Sequence, residues 1–299
     1  MNYTKSCLNY TGGKYRLLKQ LLPLFPKNIN SFVDIFCGGC NVALNVKSNN
    51  TICNDINTPL INLFQYIKES DLDFLINSIN EIIEEYGLSK SEQYGYQYYN
   101  CNSSKGLSKY NKVKYLKLRE DFNSNVISNF NKCLYFYTLI IFGFNNQIRF
   151  NKKNEFNIPV GKRDFNCRVQ KNLKKFHKTI NCKDITFTNH DFREFSLENL
   201  NSKDFLYADP PYLISNASYN EQNAWLSIHE KCLLKFLDNL NSNNINFALS
   251  NVLESKGKEN KLLKEWSKDY NVNYLNFDYN NSNYQTKKGK SIEVLICNY

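Results

Sequence analysis

No stretch of this chain approaches the ~18 consecutive apolar residues that a membrane-spanning helix requires, and a transmembrane protein is not expected. Met1 to Gln20 lacks an apolar signal core and a small-residue cleavage site, so a cytoplasmic protein is expected. Ten cysteines in 299 residues are too sparse for a disulfide scaffold and read as buried thiols of a reducing compartment. The three histidines, His177, His190 and His229, are scattered, and Cys37-Gly-Gly-Cys40 has no second C-x-x-C to complete a zinc site. No metal ligand set is expected, and a thioredoxin-like use of Cys37 and Cys40 does not suit so long a chain. There is no complete G-x-G-x-x-G and no G-x-x-x-x-G-K-[ST]. Tyr10-Thr11-Gly12-Gly13-Lys14 lacks that spacing and the final hydroxyl, so it is not an ATP site. Its two glycines and lysine ahead of a helix can still receive an anion. Neither an internal repeat nor a Pro/Gly/Ser linker interrupts the chain.

What is present is an ordinary globular balance, 42% hydrophobic and 22% charged, in a length that suits one large domain or two smaller ones. Asn, Lys, Ile and Tyr are frequent, a bias that an AT-rich coding sequence would produce, so Asn-rich stretches carry little functional weight. The net charge is +10. Residues 101 to 180 hold 17 Lys+Arg against 4 Asp+Glu, a net of +13, and the remainder is slightly acidic. One basic segment on an otherwise acidic chain points to a polyanionic partner bound by that segment.

Periodicity divides the chain into three regions. Phe32 to Phe36 reads as a strand, Gly38-Gly39 as a turn and Asn41 to Lys47 as a helix. Thr51 to Cys53 then reads as a strand and Leu60 to Ile67 as a helix, a βαβ unit. From 70 to 180, Asp71 to Tyr86 and Val126 to Phe142 read as helices among Tyr-rich and Lys-rich stretches. Gly143 to Gly161, with Asn, Gly and Pro around aromatic pairs, reads as a hairpin or exposed loop. From 184 onward strands are expected at Ile185–Phe187, Phe205–Ala208, Ile245–Leu249, Tyr274–Phe277 and Ile292–Cys297, with helices at His229–Leu240 and Asn260–Trp266. Such alternation predicts an α/β fold, a mostly parallel sheet with helices on both faces, binding ligands at the carboxyl ends of its strands.

The chemistry-bearing residues follow those strands. Tyr207-Ala208-Asp209-Pro210-Pro211-Tyr212 is stiff, because proline fixes its own φ and drives the preceding residue toward extended geometry. The segment presents acceptors without backbone donors at either proline, beside an aromatic face. That combination fits a planar ring bearing an amino group, with Asp209 and the Pro210 carbonyl meeting the amino hydrogens and Tyr212 stacking on the ring. A plain strand-to-loop turn is the alternative. Asp34-Ile-Phe-Cys-Gly-Gly-Cys-Asn41 ends the first strand with glycines that let a ligand approach the backbone. Asp55, ending the second, can accept from ribose hydroxyls.

Together these elements resemble the Dam-like DNA adenine methyltransferases, in the arrangement that places cofactor motifs first and the catalytic Asp-Pro-Pro-Tyr late. The matching segments are Tyr10–Lys14, Asp34-x-Phe36-x-Gly38, Asn54-Asp55, Leu118–Asn123, Phe144-Asn145 to Arg149-Phe-Asn151, Glu155–Gly161, Asn189-His-Asp191-Phe192, Asp209–Tyr212, Leu249-Ser-Asn251 and Glu293-Val-Leu-Ile. They span nearly the whole chain in one order. Two positions depart from the family. Asn9 stands where it often carries a lysine that helps read the outer base pair, and Cys40 replaces a glycine after Phe36.

The resemblance implies a Rossmann-like class I S-adenosylmethionine-dependent sheet built from residues 1–68 and 180–299. It also implies an inserted, mainly helical target-recognition domain, residues 69–179, carrying a β-hairpin. It implies S-adenosyl-L-methionine as methyl donor, with Tyr10 and Gly13 among its contacts, Lys14, Asp34, Phe36 and Gly38 toward its methionine end and Asp55 on the ribose. Asp191 and Phe192 would meet its adenine, with Asp209 also contributing. Asp209, Pro210, Pro211 and Tyr212 would hold a flipped-out target adenine. Asn9, Phe144, Asn145, Arg149, Asn151, Lys152, Lys153, Lys162 and Arg163 would contact duplex DNA, Arg149 as a base reader, since Arg to guanine is the commonest specific contact. GATC is the leading target sequence. A bacterial or phage-encoded monomer is expected, with a cognate restriction endonuclease as a further partner. Competing readings are methylation of an RNA adenine or of a protein amide, and a DNA-binding module without catalysis. Amide methyltransferases usually carry Asn at the position of Asp209.

Overall fold

The computed structural model describes residues 3–124, 127–128, 131–214, 225–276 and 291–299. Their contacts divide the chain into two compact units. One draws on Met1–Gly13 and Asn57–Cys182, the other on Lys14–Ile56 and the described residues from Lys183 onward.

The second unit is built on a sheet. Its strands are β1 (Ser31–Asp34), β2 (Asn50–Asn54), β3 (Ile185–Thr188), β4 (Phe205–Ala208), β5 (Asn246–Ser255), β6 (Lys258–Glu259), β7 (Asn271–Leu275) and β8 (Ser291–Cys297). The order is β3-β2-β1-β4-β5-β8-β7, with β6 paired to β5. β1 to β5 run parallel, while β8 runs antiparallel to both β5 and β7. The order reverses between β1 and β4, and the carboxyl ends at such a switch point are where doubly wound sheets bind ligands.

Strand residues alternate between two buried faces, as parallel strands require. Val33, Leu206, Ala208 and Phe247 pack with Leu233, Leu237 and Leu240 of a long helix (Ser227–Ser242) and with Leu263 of a shorter one (Lys261–Trp266). Phe32, Phe205 and Tyr207 turn the other way and meet Phe25, whose ring centroid lies 4.9 Å from that of Phe205 and 5.5 Å from that of Tyr207. A short helix at Leu18–Leu21, with both leucines buried, precedes β1.

The first unit is helical. In chain order its helices are Thr58–Glu69, Leu72–Glu85, Ser91–Tyr98, Ser108–Asn123, Lys132–Phe142 and Cys167–Cys182. With the three above, the helices become α1 (Leu18–Leu21), α2 to α7 in this unit, α8 (Ser227–Ser242) and α9 (Lys261–Trp266). In α6 every residue from Phe136 to Phe142 is buried, and α2, α3 and α5 pack around it. A helix that is apolar on all sides can only be a core element. After α6 the chain folds back on itself through two isolated antiparallel bridges, Gly143↔Val160 and Phe150↔Phe156. The strands pass so close that a Cβ on Gly161 would collide with the Gly143 carbonyl. Tyr115, Arg119 and Asn123 share one face of α5 at four-residue spacing and bind this segment. Tyr115 Oη and Arg119 Nη1 donate to the Ile158 carbonyl, and Asn123 donates to the Phe156 carbonyl and accepts from its N–H. Among the described residues no helix is long and apolar enough to cross a membrane.

Several elements differ from the sequence expectation. Asn41 to Lys47 is not a regular helix but a string of turns, closed by Lys183 Nζ donating to the carbonyls of Ala43, Leu44 and Val46. α6 begins at Lys132 rather than Val126, which lies outside the described residues. β7 ends at Leu275; Phe277 also lies outside them. Helices α4, α5 and α7 have no counterpart in the sequence expectation. In α7 only Leu173, Phe176 and Ile180 are buried, and the lysines between them obscure the apolar spacing.

Asp204 ties the amino ends of β1 and β4. Its Oδ1 accepts from Ser31 N at 2.8 Å and Asn30 Nδ2 at 3.0 Å, and its Oδ2 from Asn201 N at 2.9 Å. Burial alone would raise its pKa, but these hydrogen bonds outweigh burial and hold it below the usual value. A depressed carboxylate stabilises the fold above its unfolded pKa, and that contribution is lost as the pH falls through the folded pKa. Asp204→Asn is therefore expected to cost about 1–3 kcal/mol at pH 7. In urea unfolding, the gap from wild type should close below about pH 4.

Candidate active site

The candidate residues of the sheet unit gather at the carboxyl ends of β1 to β4. Asn54, at the end of β2, fastens these ends together. Its Nδ2 donates to the Ile35 and His190 carbonyls, and its Oδ1 accepts from His190 N and Thr188 Oγ1. One buried amide thus satisfies the exits of three strands, which would otherwise leave polar backbone groups unpaired.

Beyond β1, Ile35 N donates to the Tyr207 carbonyl and Cys37 N to that of Asn54. Gly38 adopts a φ of 45° and donates its N–H to Asp55 Oδ2 at 2.9 Å. A left-handed glycine brings the bare backbone to the Asp55 carboxylate. Phe36 then meets Phe192, which follows β3, and Trp225, with centroids 5.4 and 5.8 Å away. Phe192 and Trp225 are 5.9 Å apart, completing an aromatic triad. Trp225 is tethered by its Nε1 to Glu230 Oε2 at 2.6 Å, and Glu230 Oε1 accepts from Asn251 and Asn260. Burial raises the Glu230 pKa, and its three donors oppose that rise. Asp191 caps the turn at Phe192–Glu194 and binds Arg193 through both carboxylate oxygens; that guanidinium holds its pKa below the usual value.

Asp34 is buried, and its Oδ1 accepts no hydrogen bond from a described residue. Burial drives its pKa well above the usual value. Cys53, Asp209 and Asp55 add to the rise, and the backbone N–H of Ala43 opposes it.

The segment after β4 carries the densest charge. Lys14 Nζ lies 2.8 Å from Asp209 Oδ1 and 3.7 Å from Glu293 Oε1, with Lys14 and Glu293 both buried. It also stands 5.0 Å from the centroid of the Tyr212 ring. Tyr212 Oη reaches Asp209 Oδ1 at 3.2 Å and Glu293 Oε1 at 3.3 Å. Burial raises the Asp209 pKa; Lys14 pulls it down, Glu293 pushes it up and Tyr212 lowers it. Below this group Tyr207 Oη and Ser250 Oγ pair at 2.7 Å.

Eleven expected site residues therefore share one edge of the sheet unit: Lys14, Asp34, Phe36, Gly38, Asp55, Asp191, Phe192 and Asp209 to Tyr212. The others lie in the helical unit. Gly13 N donates to the Tyr10 carbonyl in a turn beside the exposed Asn9. Phe144 is half-buried and Asn145 is exposed, its φ of 54° being left-handed. Arg149 donates from Nε to Asn157 Oδ1 at 2.7 Å and from Nη2 to the Asn157 carbonyl. Asn151 organises the tip of its loop, accepting from the N–H of Lys153 and Glu155. Lys152, Lys153, Lys162 and Arg163 are exposed.

Sequence reasoning assigns no role to Asn54, Trp225, Glu230, Ser250, Asn251 or Glu293. Asn54, Ser250, Asn251 and Glu293 lie in the resembling motifs, and that is the one signal available for them; nothing local marks Trp225 or Glu230. Cys37 and Cys40 are buried free thiols whose pKa burial drives well above the usual value. Among the described residues no group of His, Cys, Asp and Glu is arranged to hold a metal ion.

A model of the family described as D12 class N6 adenine-specific DNA methyltransferase matches residues 10–282. The chain is 45% identical to modification methylase StsI of Streptococcus sanguinis, over 99% of this chain and 43% of that protein. It is 42% identical to type II methyltransferase M.FokI of Planomicrobium okeanokoites, over 100% of this chain and 43% of that protein. It is 30% identical to a DNA adenine methylase of Haemophilus influenzae, over 69% of this chain and 63% of that protein. The chain thus spans less than half the length of the first two relatives.

Replacing Asp34 tests how far this edge is built for a ligand rather than for stability. A carboxyl whose folded pKa is raised stabilises only below its unfolded pKa, and that contribution is lost as the pH rises toward the folded pKa. Asp34→Asn is expected to raise the stability of the free protein at pH 7 by about 0.5–2 kcal/mol. In thermal unfolding, the gain should vanish below about pH 4.

Proposed function

The chain belongs to the D12 class N6 adenine-specific DNA methyltransferase family, and on that premise we propose that it methylates the exocyclic amino nitrogen of a flipped-out adenine in duplex DNA, with S-adenosyl-L-methionine as donor. The observation that carries the reading is the Asp209-Pro210-Pro211-Tyr212 segment at the switch point of the sheet, with Asp209 Oδ1 engaged by Lys14 and Tyr212. Asp209 Oδ2 accepts no hydrogen bond from a described residue, so the carboxylate has an acceptor to offer.

The donor suits this edge. A buried carboxyl with an orphaned oxygen, Asp34, favours a cationic ligand. Asp34, Phe36 and Gly38 would line its methionine part, Asp55 would hold its ribose, and Asp191 and Phe192 would meet its adenine. When bound, the donor supplies an electrophilic methyl group on a sulfonium. The remaining work falls to the chain. Asp209 Oδ2 and the Pro210 carbonyl accept the two amino hydrogens and orient the nitrogen lone pair. Tyr212 stacks on the base, which offsets part of the few kcal/mol that flipping costs. Burial and Glu293 raise the Asp209 pKa, making its carboxylate a better acceptor for the amino proton. Orientation of this kind can supply most of the rate, with no enzyme nucleophile.

We assign residues 69–179 to target recognition, with Arg149 reading a base and Phe144 and Asn145 probing the space left by the flipped adenine. The net charge of +13 over residues 101–180 supports this assignment. GATC is the first sequence to test. The protein is proposed to act as a cytoplasmic monomer. Relatives named modification methylases support a cognate restriction endonuclease as its counterpart.

Transfer of a tritiated methyl group to duplex DNA, RNA and protein tests the reaction, and a methylome of expressing cells gives the site. Wild type is expected to label adenine in duplex DNA only. Asp209→Ala is expected to abolish labelling while leaving donor affinity within about threefold, since it removes an interaction with the reacting base. Near-normal turnover in that variant would overturn the assignment. A second measurement addresses the DNA-facing cations. Replacing Lys152, Lys153, Lys162 and Arg163 together with alanine is expected to flatten the slope of log affinity against log salt, by up to ~0.9 for each phosphate no longer neutralised. An unchanged slope would place DNA elsewhere.

A further inference from the structure

Glu293 lies in one of the matching sequence motifs, and the function above gives it no role beyond raising the Asp209 pKa. It lies on β8, opposite Val252 of β5 and Leu275 of β7. The β5–β8 register shifts between Val252 and Glu254, next to this residue. Such irregularities re-aim side chains beside active sites. Its neighbours Val294 and Ile296 enter the apolar core, whereas the Glu293 carboxylate, 4% exposed, faces Lys14 and Tyr212. A buried carboxylate is costly to keep unless its placement serves a purpose.

The stoichiometry of this cluster indicates that purpose. Asp209 and Glu293 both reach the Lys14 ammonium and the Tyr212 phenol. The phenol has a single hydrogen and can donate to only one of them at a time. Lys14 sits closer to Asp209 than to Glu293, at 2.8 against 3.7 Å. Both contacts on Asp209 fall on the same oxygen, Oδ1.

We propose that Glu293 is a positioning residue: by drawing Lys14 and the Tyr212 hydroxyl from behind, it fixes the Asp209 carboxylate with Oδ1 held and Oδ2 presented to the target amino group. The proposal rests on the function given above. Glu293 touches neither substrate nor reacting atoms; it acts through Tyr212 and Lys14. The ring of Tyr212, held at one end by its hydroxyl, is fixed by the same contacts as the carboxylate.

The test is a double-mutant cycle with Tyr212→Phe, which keeps the stacking ring and removes the hydroxyl. Glu293→Ala is expected to lower kcat about tenfold or more, with the dissociation constants for donor and DNA within about threefold. In the Tyr212→Phe background the same change should cost clearly less, because one of the two groups it acts through is gone and only the Lys14 contact remains. Glu293→Gln, which keeps an acceptor oxygen in place, should recover most of the lost kcat. Equal losses in both backgrounds, or a Gln variant as impaired as Ala, would overturn the proposal. A crystal structure of Glu293→Gln beside Glu293→Ala reads the same lock without substrate. Altered Asp209 and Tyr212 rotamers in the Ala variant alone are expected, and an unchanged arrangement in both would also overturn it. A wild type that transfers no methyl group to DNA would count against the function above, and the crystallographic comparison would still decide the role of Glu293.

Discussion

The sheet-edge site depends on one buried ammonium. Lys14 Nζ stands 2.8 Å from Asp209 and 3.7 Å from Glu293, where burial raises the Asp209 pKa. Without that charge Asp209 would be driven toward the neutral form by burial and by its acidic neighbour. Lys14 opposes that rise. The position of Lys14 is in turn set by the short helical run after Gly13, whose leucines Leu17, Leu18 and Leu21 are buried beside the sheet.

The other carboxylates at this edge are each compensated differently, and the differences assign their work. Asp191 is matched by Arg193, and Asp55 accepts the Gly38 N–H. Glu230 is surrounded by three neutral donors and holds an indole in place. Asp34 alone keeps a buried oxygen without a hydrogen bond from a described residue. Such an uncompensated group is poor for stability and good for binding a cation, the trade expected at a ligand site. Asn54 satisfies the strand exits with neutral groups and draws on none of these carboxylates.

The helical unit follows a different logic. Its centre is α6, apolar on every side, and its returning segment after Gly143 is held by side chains of α5 rather than by a long ladder of strand hydrogen bonds. Side-chain anchoring leaves Lys152 and Lys153 exposed at the tip while Phe156 and Ile158 are buried at the base. A loop built this way presents charge outward from an anchored base.

Local pattern along the chain was enough for β1 to β5 and β8, but it gave no sign of β6 and placed β7 too late in the chain. Those strands are short apolar runs with a turn signal directly after them, and the information is local. Asp209 to Tyr212 was legible for the same reason, since two prolines dictate the backbone on their own. Local pattern failed where solvation or distant partners decide the outcome. Lysines concealed the three-residue apolar stripe of α7, and the turns at Asn41–Lys47 are shaped by Lys183, which is remote in sequence. Folding alone joined Glu293 to Lys14, Tyr212 and Asp209, because those contacts arise when an antiparallel strand inserts between β5 and β7. Sequence spacing carries no trace of which carboxylate shares a counter-ion with which. That is settled by burial and by the distances the fold imposes.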